Sequence, residues 1–144
     1  MVNRINIICL GVKDINKSLD FFKELGFQTS AKHNAAIVFF NNKGTKLELY
    51  PVDLLAKDIN KDNPPFVNQS GFSGITIACN MKSKQEVDEL MTLVRKIGGS
   101  IVKRPQDLEW GGYGGYFRDL DGYYWEVAYG SLWEFDENEM LIID

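Results

Sequence analysis

The sequence predicts an α+β protein of two βαβββ modules, residues 1–51 and 71–130, with a mixed, curled sheet and the two helices packed outside it. Three observations carry this. The order strand, helix, three strands occurs twice along the chain. The glycines that stop the helices (Gly26; Gly98 and Gly99) and the carboxylates in the last strands (Glu48 and Glu126) fall at corresponding places in the two halves. Finally, 144 residues make one ordinary domain or two half-domains sharing a core, and one module alone buries too little of its sheet face. The chain is therefore expected to be a single domain, with a linker at 52–70 and a C-terminal tail at 131–144.

Residues 4–12 are β-branched and apolar and predict a first strand buried on both faces. Asp14 offers an oxygen to cap the following helix, in which Leu19, Phe22 and Leu25 recur at helical spacing until Gly26. Three strands are expected next, at 27–32, 35–41 and 45–50, the last two joined by the turn Asn41-Asn42-Lys43-Gly44. From Pro51 to Ser70 the pattern dissolves into Asp, Asn, Lys and Pro64-Pro65, which reads as a linker or covering loop. Residues 72–79 predict a strand, and Ser83 with Glu86 forms a capping box ahead of the stripe Val87, Leu90, Met91, Val94 and Ile97. Strands at 100–104, 113–118 and 123–129 follow, with a turn at Asp121-Gly122. The tail carries Trp133, Phe135, Leu141 and Ile143, too apolar for a free end, and is expected to dock on the body or on a second subunit.

A net charge of −4 and scattered basic residues argue against nucleic acid as the main partner. No apolar run is long enough to span a bilayer and the N-terminus lacks a signal-peptide pattern, so a cytoplasmic protein without membrane contact is expected. Cys9 and Cys79, both in apolar runs, fit reduced buried thiols.

The chemistry concentrates in residues 110–130. Glu126 is a carboxylate in an aromatic and apolar strand, which requires either a solvent-facing position or a polar cavity. Glu48 holds the matching place in the first half; a surface ion pair is the alternative there. Trp110, Tyr113 and Tyr116 provide either an aromatic wall for a flat or cationic ligand or ordinary core packing. The glycines at 111, 112, 114 and 115 let a loop approach a ligand, or else mark a bulge and a bend in the sheet. His33 reads as a solvated residue near a turn, and Asp119 with Asp121 as turn chemistry.

Three stretches, Leu-Gly-Val-Lys-Asp-Ile-Asn-Lys-Ser-Leu-Asp-Phe-Phe-Lys-Glu-Leu-Gly-Phe (10–27), Lys-Leu-Glu-Leu-Tyr (46–50) and Tyr-Phe-Arg-Asp-Leu-Asp-Gly-Tyr-Tyr-Trp-Glu-Val (116–127), resemble the glyoxalase, bleomycin-resistance and extradiol-dioxygenase superfamily, the vicinal oxygen chelate proteins. The resemblance implies sheets curled round a shared cavity, commonly in dimers. It also implies, for the metal enzymes of the family, a His or Gln ligand in the first strand and a Glu in the last strand of each module. The last-strand positions match Glu48 and Glu126. The first-strand positions fall on Ile7 and Gly74, neither of which offers a ligating side chain.

No cofactor is therefore expected, with a divalent metal on Glu48 and Glu126 as the alternative. The leading expectation is a metal-independent, small-molecule-binding protein of the sequestering or resistance type, with Glu126, Glu48, Trp110, Tyr113 and Tyr116 as its lining. The alternatives are a metal-dependent lyase or isomerase such as lactoylglutathione lyase, and a dimeric structural or interaction module. Catalytic residues are not assigned.

Overall fold

The computed structural model describes residues 1–68 and 70–143; Gln69 of the expected linker and Asp144 of the expected tail lie outside the described residues. The described chain is a mixed α+β protein of three helices and two mixed sheets, and it divides into two compact units, Met1–Gln69 and Ser70–Asp144. Among the described residues no helix is long and apolar enough to cross a membrane.

The first unit holds β1 (Ile7–Val12), α1 (Ile15–Glu24), β2 (Val38–Phe39), β3 (Lys46–Pro51) and α2 (Val52–Ile59). Its sheet has the order β1-β3-β2, with β1 parallel and β2 antiparallel to β3. Helix α1 starts as the sequence predicts: Asp14 accepts from the N–H groups of Asn16 and Lys17, and Gly26 follows the helix at φ +110°. It buries Leu19, Phe21 and Phe22, worth roughly 1.5–3 kcal/mol each as an upper bound. Phe22 forms an edge-on cluster with Phe27 and Phe40.

Four expectations for this unit need correction. Strand β1 is an edge strand, so Ile7 is exposed and only its C-terminal half is buried. No strand forms at 27–32. There the Thr29 hydroxyl donates to the Phe39 carbonyl, taking the place of a ladder N–H, and the left-handed Asn34 is tied to Asn16 at the start of α1. The strand expected at 35–41 shrinks to Val38–Phe39. The start of the expected linker is helix α2: Val52, Leu55, Ala56 and Ile59 recur at helical spacing, and Pro51 stands at its N-cap, where a missing N–H costs nothing. The turn at 41–44 forms as expected, with Gly44 at φ +72° and the Asn42 side chain bonded to the Thr45 carbonyl and the Leu47 N–H.

The second unit repeats the predicted order in full: β4 (Thr76–Met81), α3 (Lys84–Lys96), β5 (Ser100–Asp107), β6 (Tyr113–Arg118) and β7 (Tyr124–Tyr129). The sheet order is β4-β7-β6-β5, with β4 parallel to β7 and the remaining pairs antiparallel. Ser83 caps α3 by accepting from the Glu86 N–H, while Glu86 reaches back one residue further than a capping box requires, to the Lys82 N–H. The stripe Val87, Met91 and Val94 is buried, and so are Phe117, Trp125 and Val127 on one face of the sheet. Strand β4 starts four residues later than predicted. Strand β5 runs on through Pro105, which an edge strand accommodates at register irregularities on either side of Lys103.

The β6–β7 turn is built on Asp119, which is buried. One carboxylate oxygen accepts from the Asp121 and Tyr123 N–H groups, and the other accepts from the Trp125 indole N–H at 3.0 Å. Burial is the dominant influence and pushes this carboxyl from 3.8 up to about 6, against the lowering effect of the three donors.

The tail docks on its own unit. The Trp133 indole stacks on Trp110 at 5.3 Å and packs on Gly130, where a Cβ would stand 2.7 Å from the ring. A short antiparallel bridge joins Phe135 to Leu141, and the Lys82 ammonium lies over the Phe135 ring and 3.4 Å from Glu139.

Candidate functional site

Strands β5, β6 and β7 of the second unit hold a cavity of about 370 Å³, within the range of small-molecule sites. Strand alternation decides which side chains enter it. Tyr116 and Glu126 are directly opposed on adjacent strands, on the face away from buried Phe117 and Trp125. The Tyr116 hydroxyl donates to Glu126 Oε2 at 3.0 Å. Burial, followed by the bond and the charge of Glu126, raises the phenol above its ordinary pKa. Trp110, at 56% exposure, stands at the mouth, its indole lying over Gly112, where a Cβ would meet the ring at 2.0 Å.

Trp110, Tyr116 and Glu126 of the expected lining thus share one cavity. Tyr113 does not join them. Three positions apart on a strand means opposite faces, and the Tyr113 hydroxyl donates to Asp88 of α3 at 2.7 Å with the Lys84 ammonium over its ring. That parity was legible in the sequence. Glu48 belongs to the first unit, where it is registered against Cys9. The Cys9 thiol, raised to about 12 by burial and then by the charge and hydrogen bond of Glu48, is also influenced by Asp58 of α2. Helix α2 covers this face, since a Cβ on Gly11, two residues from Cys9, would meet Val52 at 2.8 Å.

Two glycines of the 111–115 run serve the sheet. A Cβ on Gly114 would meet the Val127 carbonyl at 2.5 Å, and one on Gly115 the Lys103 carbonyl at 2.2 Å. Gly111 takes φ +96° in a turn. His33 is exposed and paired with Asp20 at 2.8 Å. Lys103, which the sequence reading did not single out, also lines the cavity, opposite Tyr116. The irregular register of β5 hides that pairing from a reading of alternation.

The donors do not suit a resident metal. At the two first-strand positions Ile7 is an exposed hydrocarbon, while Gly74 has no side chain and takes φ +87°. Glu48 is engaged by Cys9, and one of the two oxygens of Glu126 by Tyr116. Among the described residues no three of His, Cys, Asp and Glu come together in a group that could hold an ion, whereas a catalytic zinc centre takes three protein ligands.

Residues 4–127 match the family model of the Glyoxalase/Bleomycin resistance protein/Dioxygenase superfamily. Among solved structures, the chain is similar to a glyoxalase-related enzyme from Fulvimarina pelagi, with 25% identity, 99% of each chain covered and a TM-score of 0.87. It is similar to a hypothetical protein from S. aureus at 25% identity, covering 90% of this chain and 95% of that one with a TM-score of 0.74. A lactoylglutathione lyase from Agrobacterium tumefaciens shares the fold at 24% identity, with 93% and 98% of the two chains covered and a TM-score of 0.67. No curated protein matches the sequence.

Proposed function

This chain belongs to the Glyoxalase/Bleomycin resistance protein/Dioxygenase superfamily, and from that premise we propose that it is a metal-independent small-molecule-binding protein of the sequestering type. The observation that carries the reading is the cavity in which the hydrogen-bonded Tyr116 and Glu126 lie beside the exposed Trp110. A fixed carboxylate orients a polar group of the ligand, and the part of the Trp110 indole left exposed beside Trp133 and Gly112 supplies an apolar contact for its body. The donor set at the family's ligand positions supports binding without an ion. A thermal-shift screen of antibiotic-like and toxic aromatic compounds tests it: hits should lose affinity in Glu126→Gln and in Trp110→Ala, and unchanged affinity in both variants refutes the site.

The second reading is a glyoxalase-like lyase or isomerase, favoured by the likeness to the glyoxalase-related enzyme over 99% of both chains. It requires metal ligands other than Ile7 and Gly74. Turnover of a hemithioacetal that appears with added nickel or zinc and vanishes in Glu126→Gln would establish it in place of the first. We also assign the protein to the cytoplasm as a homodimer. The free thiols of Cys9 and Cys79 suit a reducing compartment, and exposed Ile5 and Ile7 at the edge strand β1 suit self-association. Its mass in solution should be twice that of the chain.

A further inference from the structure

The cavity carries two charges of opposite sign on one face of the sheet. Lys103 of β5 stands opposite Tyr116 of β6, which stands opposite Glu126 of β7, and all three side chains line the same space. Two strand spacings, roughly 10 Å, separate the lysine and glutamate backbones. Tyr116 occupies Oε2 of Glu126, and among the described residues no hydrogen bond or ion pair engages Oε1 or the Lys103 ammonium. The other charges bordering the cavity are differently placed. Asp107 is tied to Lys84 at 3.2 Å, and Glu109 is exposed.

We propose that the ligand is a zwitterion: a flat molecule with an ammonium or amidinium group held by Glu126 and a carboxylate or similar anion held by Lys103, its body against Trp110. This rests on the reading of the cavity as a small-molecule site and names the ligand class. A ligand bearing only a cation would leave the Lys103 ammonium unpaired beside it in a partly desolvated space, and a ligand bearing only an anion would do the same to Glu126. A ligand with both groups pairs both ends. Tyr116 between them fixes the carboxylate and keeps the two protein charges from collapsing onto each other.

Three probes sharing one ring separate the terms: para-aminomethylbenzoate, para-methylbenzylamine and para-methylbenzoate, titrated into the full chain with indole fluorescence and calorimetry as readouts. The zwitterion should bind at least about tenfold more tightly than either single-charge probe. Glu126→Gln should erase its advantage over the benzoate, and Lys103→Met its advantage over the benzylamine. If the benzylamine binds as tightly as the zwitterion to the wild-type chain, the zwitterion assignment falls while the cavity reading stands. Should none of the three bind at millimolar concentration, both fall. The wild-type comparison decides the matter even where a variant fails to fold.

Discussion

Replacing Asp119 by Asn should remove a pH dependence from the stability of the second unit. The carboxyl is raised to about 6 from 3.8 because it is buried, even though it accepts three hydrogen bonds of 3.0 Å. The folded state therefore holds this proton more tightly than the unfolded state. The stability it contributes is fully present below pH 3.8, declines as pH rises and is gone above about pH 6. Between pH 7 and pH 4 the gain is about 2 kcal/mol, or on the order of 5–10 °C in melting temperature for a chain of this size. Asn does not titrate, but it turns an amide N–H toward the Trp125 indole N–H, a pH-independent cost of about 1–3 kcal/mol. The stability of the wild-type protein minus that of the variant should thus grow by about 2 kcal/mol as pH falls from 7 to 4. Other carboxylates cancel in the difference. Urea unfolding followed by tryptophan fluorescence suits the measurement, since Trp110, Trp125 and Trp133 all lie in this unit. A difference that stays flat means that the three donors balance the burial, and one that shrinks toward acid pH means that they outweigh it. Either result refutes the argument.

Three further outcomes are expected. Gly115→Ala places a Cβ 2.2 Å from the Lys103 carbonyl and should cost about 1–3 kcal/mol; Gly112→Ala meets the Trp110 side chain first rather than backbone, so it should change indole fluorescence with a smaller loss, and equal melting temperatures for the two variants would contradict this. Glu48→Gln removes the charge that helps hold the Cys9 thiol at about 12, so peptide-resolved alkylation of Cys9 at mildly alkaline pH should accelerate while that of Cys79, raised to about 11 by burial alone, stays slow. Glu126→Gln should lower the titration of the Tyr116 phenol toward that of an ordinary tyrosine, seen as an earlier rise in tyrosinate absorbance, because the bond and charge that hold its proton are weakened.

Much of the second unit could be read from the chain, because its signals are local. Ser83 and Glu86 start α3, Gly98 at φ +105° ends it, and alternation marks β6 and β7 to within a residue. The first unit was less legible. The Thr29 hydroxyl donates to the Phe39 carbonyl and the Asn16 side chain accepts from the Asn34 N–H in place of ladder bonds, and propensity alone does not reveal that choice. Helix α2 carried a readable stripe, but Pro51 and the polar run after Ile59 masked it.

What the sequence by itself determined is the repeated element order in outline, the helix caps and the Asp121-Gly122 turn, all consequences of periodicity and side-chain chemistry within a few residues. Only the tertiary structure decided which charges meet. Lys103 reaches the cavity because β5 shifts register beside a glycine that leaves room for its carbonyl, while Glu48 is drawn to Cys9 beneath α2. Cross-strand register and the covering of a sheet face depend on residues distant in sequence, so no local pattern encodes them.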